Sequence, residues 1–364
     1  MHNAPFALFR AHCLELSPTA HNTGWEDVLV PYGMARAGLA FGDQQLIDWA
    51  VRWFEYHHAA GYQEEPAAPC ISSGECKAGH HLGEYCGNWG GPLVFAALYR
   101  ARPQPALKDA AFVVCDALLR QAVRLPDGAI AHDGGWDHPR GSLWVDTLFY
   151  SSSILAEGYS LTGKLAYAEE AIRQALLHTK WLQDPCTGGF FHDVAPDTGV
   201  RSASLWARGN GWSLLALADT LRLCPADLAG SDEILKAYRA LATCMLRYQH
   251  SSGLWRIVPE NPDAHLETSG SIMILAGLAN GLAAGWIEQA VRGPVMRGFN
   301  ELLTWIDPHG VLQGSQRPAG VGGWVTHKLS TLGECAYANG LFWRLLADLR
   351  EAGLLERDFY PAGC

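Results

Sequence analysis

Apolar positions along this chain recur at helical rather than strand spacing. Leu107, Ala111, Val114 and Leu118 fall on one face of a helix; Leu165, Ala168, Ile172 and Leu176 repeat the pattern, as do Ile234, Tyr238, Leu241, Met245 and Tyr248. Strand-like alternation is confined to short pieces between these segments. The helical segments come in pairs, predicted over about 25–41 with 44–60, 88–102 with 106–124, 146–162 with 165–183, 208–223 with 231–250, and 268–285 with 287–304. A last helix is predicted over about 329–350. Links within a pair are short and carry breakers, as in Gly42-Asp43, Pro103-Gln104-Pro105 and Thr162-Gly163-Lys164. Links between pairs run to roughly 17–28 residues, and loops of that length inside a folded domain are usually functional.

The units repeat. A turn with glycine and a short alternating stretch follow each outer helix, and Gly128, Gly189, Gly253 and Gly310 are separated by 61, 64 and 57 residues. A period near 60 with two helices per unit is the signature of an array, and about six units fit the 364 residues. Six hairpins can close into a ring of inner helices surrounded by outer ones, an all-α (α/α)6 barrel forming a single domain over 1–364. An open superhelix of hairpins is the alternative. The ring is preferred because the repeat number is near six and the long loops then gather at one end.

The junctions between loop and inner helix also repeat. Asp27, Asn88, Asp146, Arg208 and Thr268 follow one another at steps of 61, 58, 62 and 60 residues, and most have a tryptophan nearby: Trp25, Trp89, Trp144, Trp206 and Trp212. Helix capping accounts for one polar residue per junction. It does not account for the tryptophans, nor for an arginine at a helix start, where the macrodipole disfavours a cation. Arg208 there points to an anionic ligand, because its guanidinium can grip a carboxylate through two parallel hydrogen bonds. Fourteen tryptophans in the chain suit a sugar site, since indole faces stack on pyranose rings and the ring N–H donates. Converging on a ring axis, these groups describe a pocket for a uronic acid sugar. Asp146, preceded by Trp144 and followed by Leu148 and Phe149, is the candidate acid. Its apolar surround is expected to raise its pKa.

Composition narrows the partners. A net charge of −10 argues against nucleic acid or an anionic membrane. Several of the ten cysteines, such as Cys115, Cys244 and Cys335, sit in apolar helical segments as reduced thiols do. The first residues lack a basic stretch followed by a long apolar run, and no segment is long enough to span a bilayer, so a cytoplasmic protein is expected. The loop with Cys70, Cys76, His80, His81 and Cys86 lacks tight Cys pairing, and no metal or cofactor is expected. A nucleophile elbow and a phosphate-binding glycine loop are both missing.

The segments Trp206-Ala207-Arg208-Gly209-Asn210-Gly211-Trp212, Trp144-Val145-Asp146-Thr147-Leu148-Phe149 and Glu267-Thr268-Ser269-Gly270-Ser271 resemble the signature segments of the unsaturated uronyl hydrolases. These are glycoside hydrolase families 105 and 88, with family 105, the unsaturated rhamnogalacturonyl hydrolases, the nearer. The likeness covers nearly the whole chain. It implies an (α/α)6 barrel and removal of a 4,5-unsaturated uronate from the non-reducing end of lyase-made oligosaccharides. In that reaction an Asp protonates C4, water adds at C5, and the resulting hemiketal opens to release the remaining sugar; a pair of carboxylates at fixed separation is not needed. Asp146 takes the role of that Asp. The resemblance places Arg208, Trp206 and Trp212 on the substrate pocket and His192 near the uronate; Trp25 and Asp27 match a weaker segment. His132 and His138 bind sugar or hold their loop. The family's second Asp is replaced here by Asn88, and either Glu84 supplies the missing carboxyl or proton handling differs. Another uronate enzyme of this shape, an epimerase or lyase, and a non-catalytic carbohydrate-binding homologue are the alternatives. The neighbouring sugar and the choice between monomer and homodimer stay open.

Overall fold

The computed structural model describes residues 3–63, 80–83, 85–132, 141–317, 331–356 and 359. Glu84, His138 and the cysteines Cys70 and Cys76 lie outside the described residues. Helix α1 spans Asn3–Glu15, α2 Leu29–Phe41, α3 Gln44–Ala60, α4 Gly91–Ala101 and α5 Pro105–Gln121. They are followed by α6 Val145–Leu148, a π-helical turn Phe149–Ser153, α7 Ile154–Thr162, α8 Leu165–Leu182, α9 Ala207–Leu223, α10 Ser231–Arg247, α11 Thr268–Ala283, α12 Arg292–Leu303 and α13 Ala336–Glu351.

The predicted pairs are all present, with starts and ends shifted by a few residues. α2 packs on α13 and α4, α4 on α7, α7 on α9, α9 on α11, and α11 on α13, so the inner helices close a ring. The outer helices α3, α5, α8, α10 and α12 lie against them. Composition explains the two layers. α11 is buried from Thr268 to Leu282, whereas α10 buries one stripe, Ile234, Ala237, Tyr238, Leu241, Ala242, Cys244 and Met245. A helix apolar all round belongs inside, and one with a single stripe belongs outside.

Helix α1 was not among the predicted pairs. Its Phe6 packs edge-on against Trp343 of α13 at 5.6 Å between ring centroids, and Phe9 against Phe342 at 5.0 Å. It therefore supplies the sixth outer helix, paired with α13 from the other end of the chain. Where α2 crosses α13 the two backbones nearly touch: a Cβ on Gly33 would lie 1.8 Å from the Gly340 carbonyl oxygen, and one on Gly340 would lie 2.1 Å from the Leu29 carbonyl oxygen. Only glycine permits that approach.

Short strands dress one end of the ring. Leu143–Trp144 pairs antiparallel with Asp193–Ala195, which pairs with Val200–Arg201. Trp255–Arg256 pairs with Leu266–Glu267, and Ser315–Gln316 with Leu332–Gly333. No helix among the described residues is long and apolar enough to cross a membrane.

Candidate active site

Asp146 lies in the first turn of α6, but it does not cap it. The cap position is Trp144, whose extended backbone (φ −129°, ψ 151°) makes no side-chain cap bond. The pairing of Trp144 with Asp193 brings the neighbouring loop alongside, and the Val145 amide donates to the His192 carbonyl at 3.0 Å. His192 Nε2 then stands 3.5 Å from Asp146 Oδ2. Its ring is held between Trp144 and Trp206, at 4.6 and 4.3 Å between centroids. Asp146 Oδ2 is buried without a hydrogen bond.

His132 approaches from the preceding loop. It stacks on Trp144 at 4.2 Å with rings nearly parallel, meets Tyr85 edge-on, and its Nδ1 lies 2.9 Å from Thr147 Oγ1 and 3.6 Å from Cys86 Sγ. Burial pushes the Cys86 thiol up to about 12, so it is a neutral wall group rather than a nucleophile. These charges overturn one expectation from the sequence. Burial does push the Asp146 carboxyl up, but the His192 contact and the positive charge of His192, His132 and Arg208 outweigh it and hold Asp146 below the ordinary 3.8. The sequence showed the apolar neighbours of Asp146 on its own helix, not the cations delivered by other loops.

Arg208 sits one residue inside α9 and is 5% exposed. Its guanidinium lies over the rings of Trp206 and Tyr337, at 4.5 and 5.2 Å to the centroids. Nη1 donates to the Gln316 carbonyl at 2.7 Å and to the Tyr337 hydroxyl at 2.5 Å. Nε is buried and unpartnered. The edge formed by Nε and Nη2 is therefore the one left for a ligand. The rest of the Trp-Ala-Arg-Gly-Asn-Gly-Trp segment positions it. Asn210 pins the incoming loop by accepting from the Phe190 amide and donating to the Phe190 and Trp206 carbonyls. A Cβ on Gly209 would lie 2.7 Å from Val145, and one on Gly211 2.5 Å from Met273, so these glycines let α9 approach α6 and α11.

The other predicted residues divide. Trp144 is half-buried on the cluster, and its indole donates to Ser142 at 3.1 Å. Trp206 lies under Arg208, its indole bonded to Gln316 Oε1 at 2.8 Å. Trp25 packs on Tyr337 at 5.3 Å, and its carbonyl accepts from Tyr150 at 2.6 Å. Trp212 is fully buried behind Phe149 and Tyr150, a packing position. Asn88 is half-buried on the turn Cys86–Asn88 and donates to the Leu82 carbonyl at 3.2 Å. Asp27 folds its own loop, accepting from the Asn22 amide at 3.1 Å and lying 3.2 Å from His21 Nδ1.

Sequence reasoning passed over Tyr85, Gln316, Tyr337 and Glu26. Glu26 is half-buried, and its charge acts on Tyr85, Tyr150 and Cys335. Burial, reinforced by Asp27 and opposed by Arg208, pushes its carboxyl up to about 7. The signal available was its place in Trp25-Glu26-Asp27, at a junction already singled out. Among the described residues, no group of three or more His, Cys, Asp or Glu side chains is arranged to hold a metal ion.

Comparison with known proteins agrees with this geometry. An unsaturated rhamnogalacturonyl hydrolase, YesR, of Bacillus subtilis (strain 168) is 26% identical over 264 residues, 71% of this chain and 69% of its own. A crystal structure of a possible family 105 member from Salmonella enterica serovar Paratyphi A superposes with a TM-score of 0.82 at 21% identity, covering 96% of this chain and 94% of that one. An unsaturated glucuronyl hydrolase of a Bacillus species, responsible for glycosaminoglycan degradation, superposes at 0.66 and 18% identity over 90% and 86% of the two chains. The family model of Glycosyl Hydrolase Family 88 matches residues 9–345, and the chain belongs to that family.

Proposed function

We propose that this chain removes a 4,5-unsaturated uronic acid from the non-reducing end of lyase-generated oligosaccharides by hydrating the C4=C5 bond, with Asp146 as general acid and base. One observation carries the reading: Arg208 presents a buried, unpartnered Nε beside the Asp146–His192 pair. A carboxylate on the Nε–Nη2 edge places the uronate ring between Arg208 and the acid, with Trp144, Trp206 and Trp25 offering aromatic surface. The rhamnogalacturonyl and glucuronyl hydrolases among the relatives support the substrate class.

Asp146 is ionised in the ligand-free protein at neutral pH, since its carboxyl is held below 3.8. Docking the uronate changes its surroundings. The substrate carboxylate offsets the charge of Arg208, brings a negative charge of its own and displaces water, and all three raise the Asp146 pKa. Asp146 then takes up a proton, delivers it to C4, and as a carboxylate accepts a proton from the water that adds at C5. The hemiketal opens and the remaining sugar leaves. His192 and His132 orient the acid and the ring. Asn88 offers an amide, which can hydrogen-bond sugar or water but carries no charge. The described cysteines are unpaired, six buried and Cys186 exposed, which fits work in a reducing cytoplasm.

The unsaturated uronate absorbs in the ultraviolet, and hydration removes that absorbance. The protein is expected to bleach lyase-made disaccharides, and Asp146→Asn to lower kcat by about 10²–10⁴-fold. Undiminished bleaching by the variant would refute the assignment. A panel of pectin- and glycosaminoglycan-derived disaccharides identifies the neighbouring sugar.

A further inference from the structure

The carboxyl lost where the resemblance expects a second Asp has a counterpart elsewhere on the same ring. Glu26 lies at the junction leading into α2, and Trp25 beside it is fixed on three sides. Its ring packs on Tyr337, its carbonyl accepts from Tyr150, and its Cβ is the neighbour a side chain on Gly87 would meet at 3.1 Å. Tyr337 in turn accepts from Arg208, and both Arg208 Nη1 and the Cys335 thiol donate to the Gln316 carbonyl, at 2.7 and 3.7 Å. Glu26 thus belongs to the shell around Arg208. Asp27, next in sequence, is used up by its own loop. Glu26 makes no hydrogen bond or ion pair with any described residue, and the groups whose charges meet its own are Asp27, Arg208, Tyr85, Tyr150 and Cys335.

We propose that Glu26 is a substrate-positioning residue: in its neutral form it donates a hydrogen bond to the uronate carboxylate held on Arg208. The inference rests on the functional reading above. A neutral carboxyl and a carboxylate can share one proton in a short bond, whereas two carboxylates on one guanidinium repel each other. With burial pushing Glu26 up to about 7, the donor form prevails below neutrality and is lost as pH rises. Ionised Glu26 then competes for Arg208 and weakens substrate binding, while Asp146 chemistry on bound substrate proceeds.

Steady-state kinetics on an unsaturated disaccharide across pH test this, with Glu26→Gln and Glu26→Leu beside the unsubstituted protein. The expected result is a KM that rises about tenfold between about pH 6 and about pH 8 with kcat changing far less. Glu26→Gln, which keeps a donor and cannot ionise, should flatten that rise. Glu26→Leu should show a raised KM at every pH. A KM rise that persists in Glu26→Gln, or an unaltered KM in Glu26→Leu, overturns the proposal while turnover upholds the functional reading. No bleaching by the unsubstituted protein overturns that reading and the proposal together.

Discussion

Asp146 stands beside more positive charge than a proton donor at neutral pH ordinarily tolerates, and this makes its protonation depend on ligand. At about pH 6, binding of a uronate-terminated disaccharide with a saturated ring should take up a proton. Calorimetry in two buffers of different ionisation enthalpy measures that uptake, and Asp146→Asn should remove it. Zero uptake by the unsubstituted protein contradicts a ligand-driven pKa rise. His192→Gln removes the contact that lowers Asp146 most, so the carboxyl should titrate at higher pH, read by carbon NMR of the side chain. The linkage has a definite sign. A depressed Asp stabilises the fold above its unfolded-state pKa and loses that contribution as pH falls through its folded-state value, so His192→Gln should lessen the acid-side loss. Glu26 and Asp27 show what the sequence leaves undecided at this scale. They are adjacent acids at one junction, and loop bonds to Asn22 and His21 decide which of them is engaged locally.

At the scale of elements, the junctions were legible because each inner helix restarts an apolar run after a polar loop. The strand pairing that sets His192 against Asp146 was not, because Leu143–Trp144 and Asp193–Ala195 belong to different loops and are two and three residues long. Strands that short carry too little alternation to read. The π-helical turn Phe149–Ser153 was equally hidden, being read as continuous helix. It puts Phe149 and Tyr150 together on Trp212, at 4.7 and 5.6 Å, while Tyr150 reaches the Trp25 carbonyl. Such insertions are common at functional sites. Helix spacing is set as tightly by glycine. Gly211→Ala would set a methyl 2.5 Å from Met273 Cβ, forcing α9 from α11. We expect a loss of about 1–3 kcal/mol in denaturant melts and a raised KM, because Arg208 rides on the same helix.

Across the whole molecule the ring has two polar ends joined by an apolar middle. Arg208 and Asp219 lie eleven residues apart on α9, about 17 Å along its axis. Beyond the site, Asp219 accepts from Arg344 through both oxygens, at 2.5 and 3.1 Å, and from Ser153 at 2.8 Å. Asp348 accepts from Arg36 at 2.8 Å, Arg344 at 3.3 Å and Asn280 at 3.0 Å, and Arg100 bonds Glu157 at 2.6 Å. These contacts tie α2, the π turn, α9, α11 and α13 together, with α4 tied to α7. The chain hid this belt for the same reason it hid the role of α1: its partners are spread from Arg36 to Asp348, and α1 pairs with a helix more than 300 residues away. A buried ion pair broken on one side leaves an uncompensated charge, which costs about 3–5 kcal/mol. Arg344→Met strands both Asp219 and Asp348, with Arg36 left to compensate only the second. The expected outcome is a loss of that size in Tm and denaturant midpoint, with KM and kcat of the folded fraction preserved because the site lies at the other end of the ring. A double variant, Arg344→Met with Asp219→Leu, should recover much of the stability, since a matched apolar pair leaves less charge unpaired. If the double variant is weaker than the single one by the full cost of a second broken pair, the belt is held by other contacts than these.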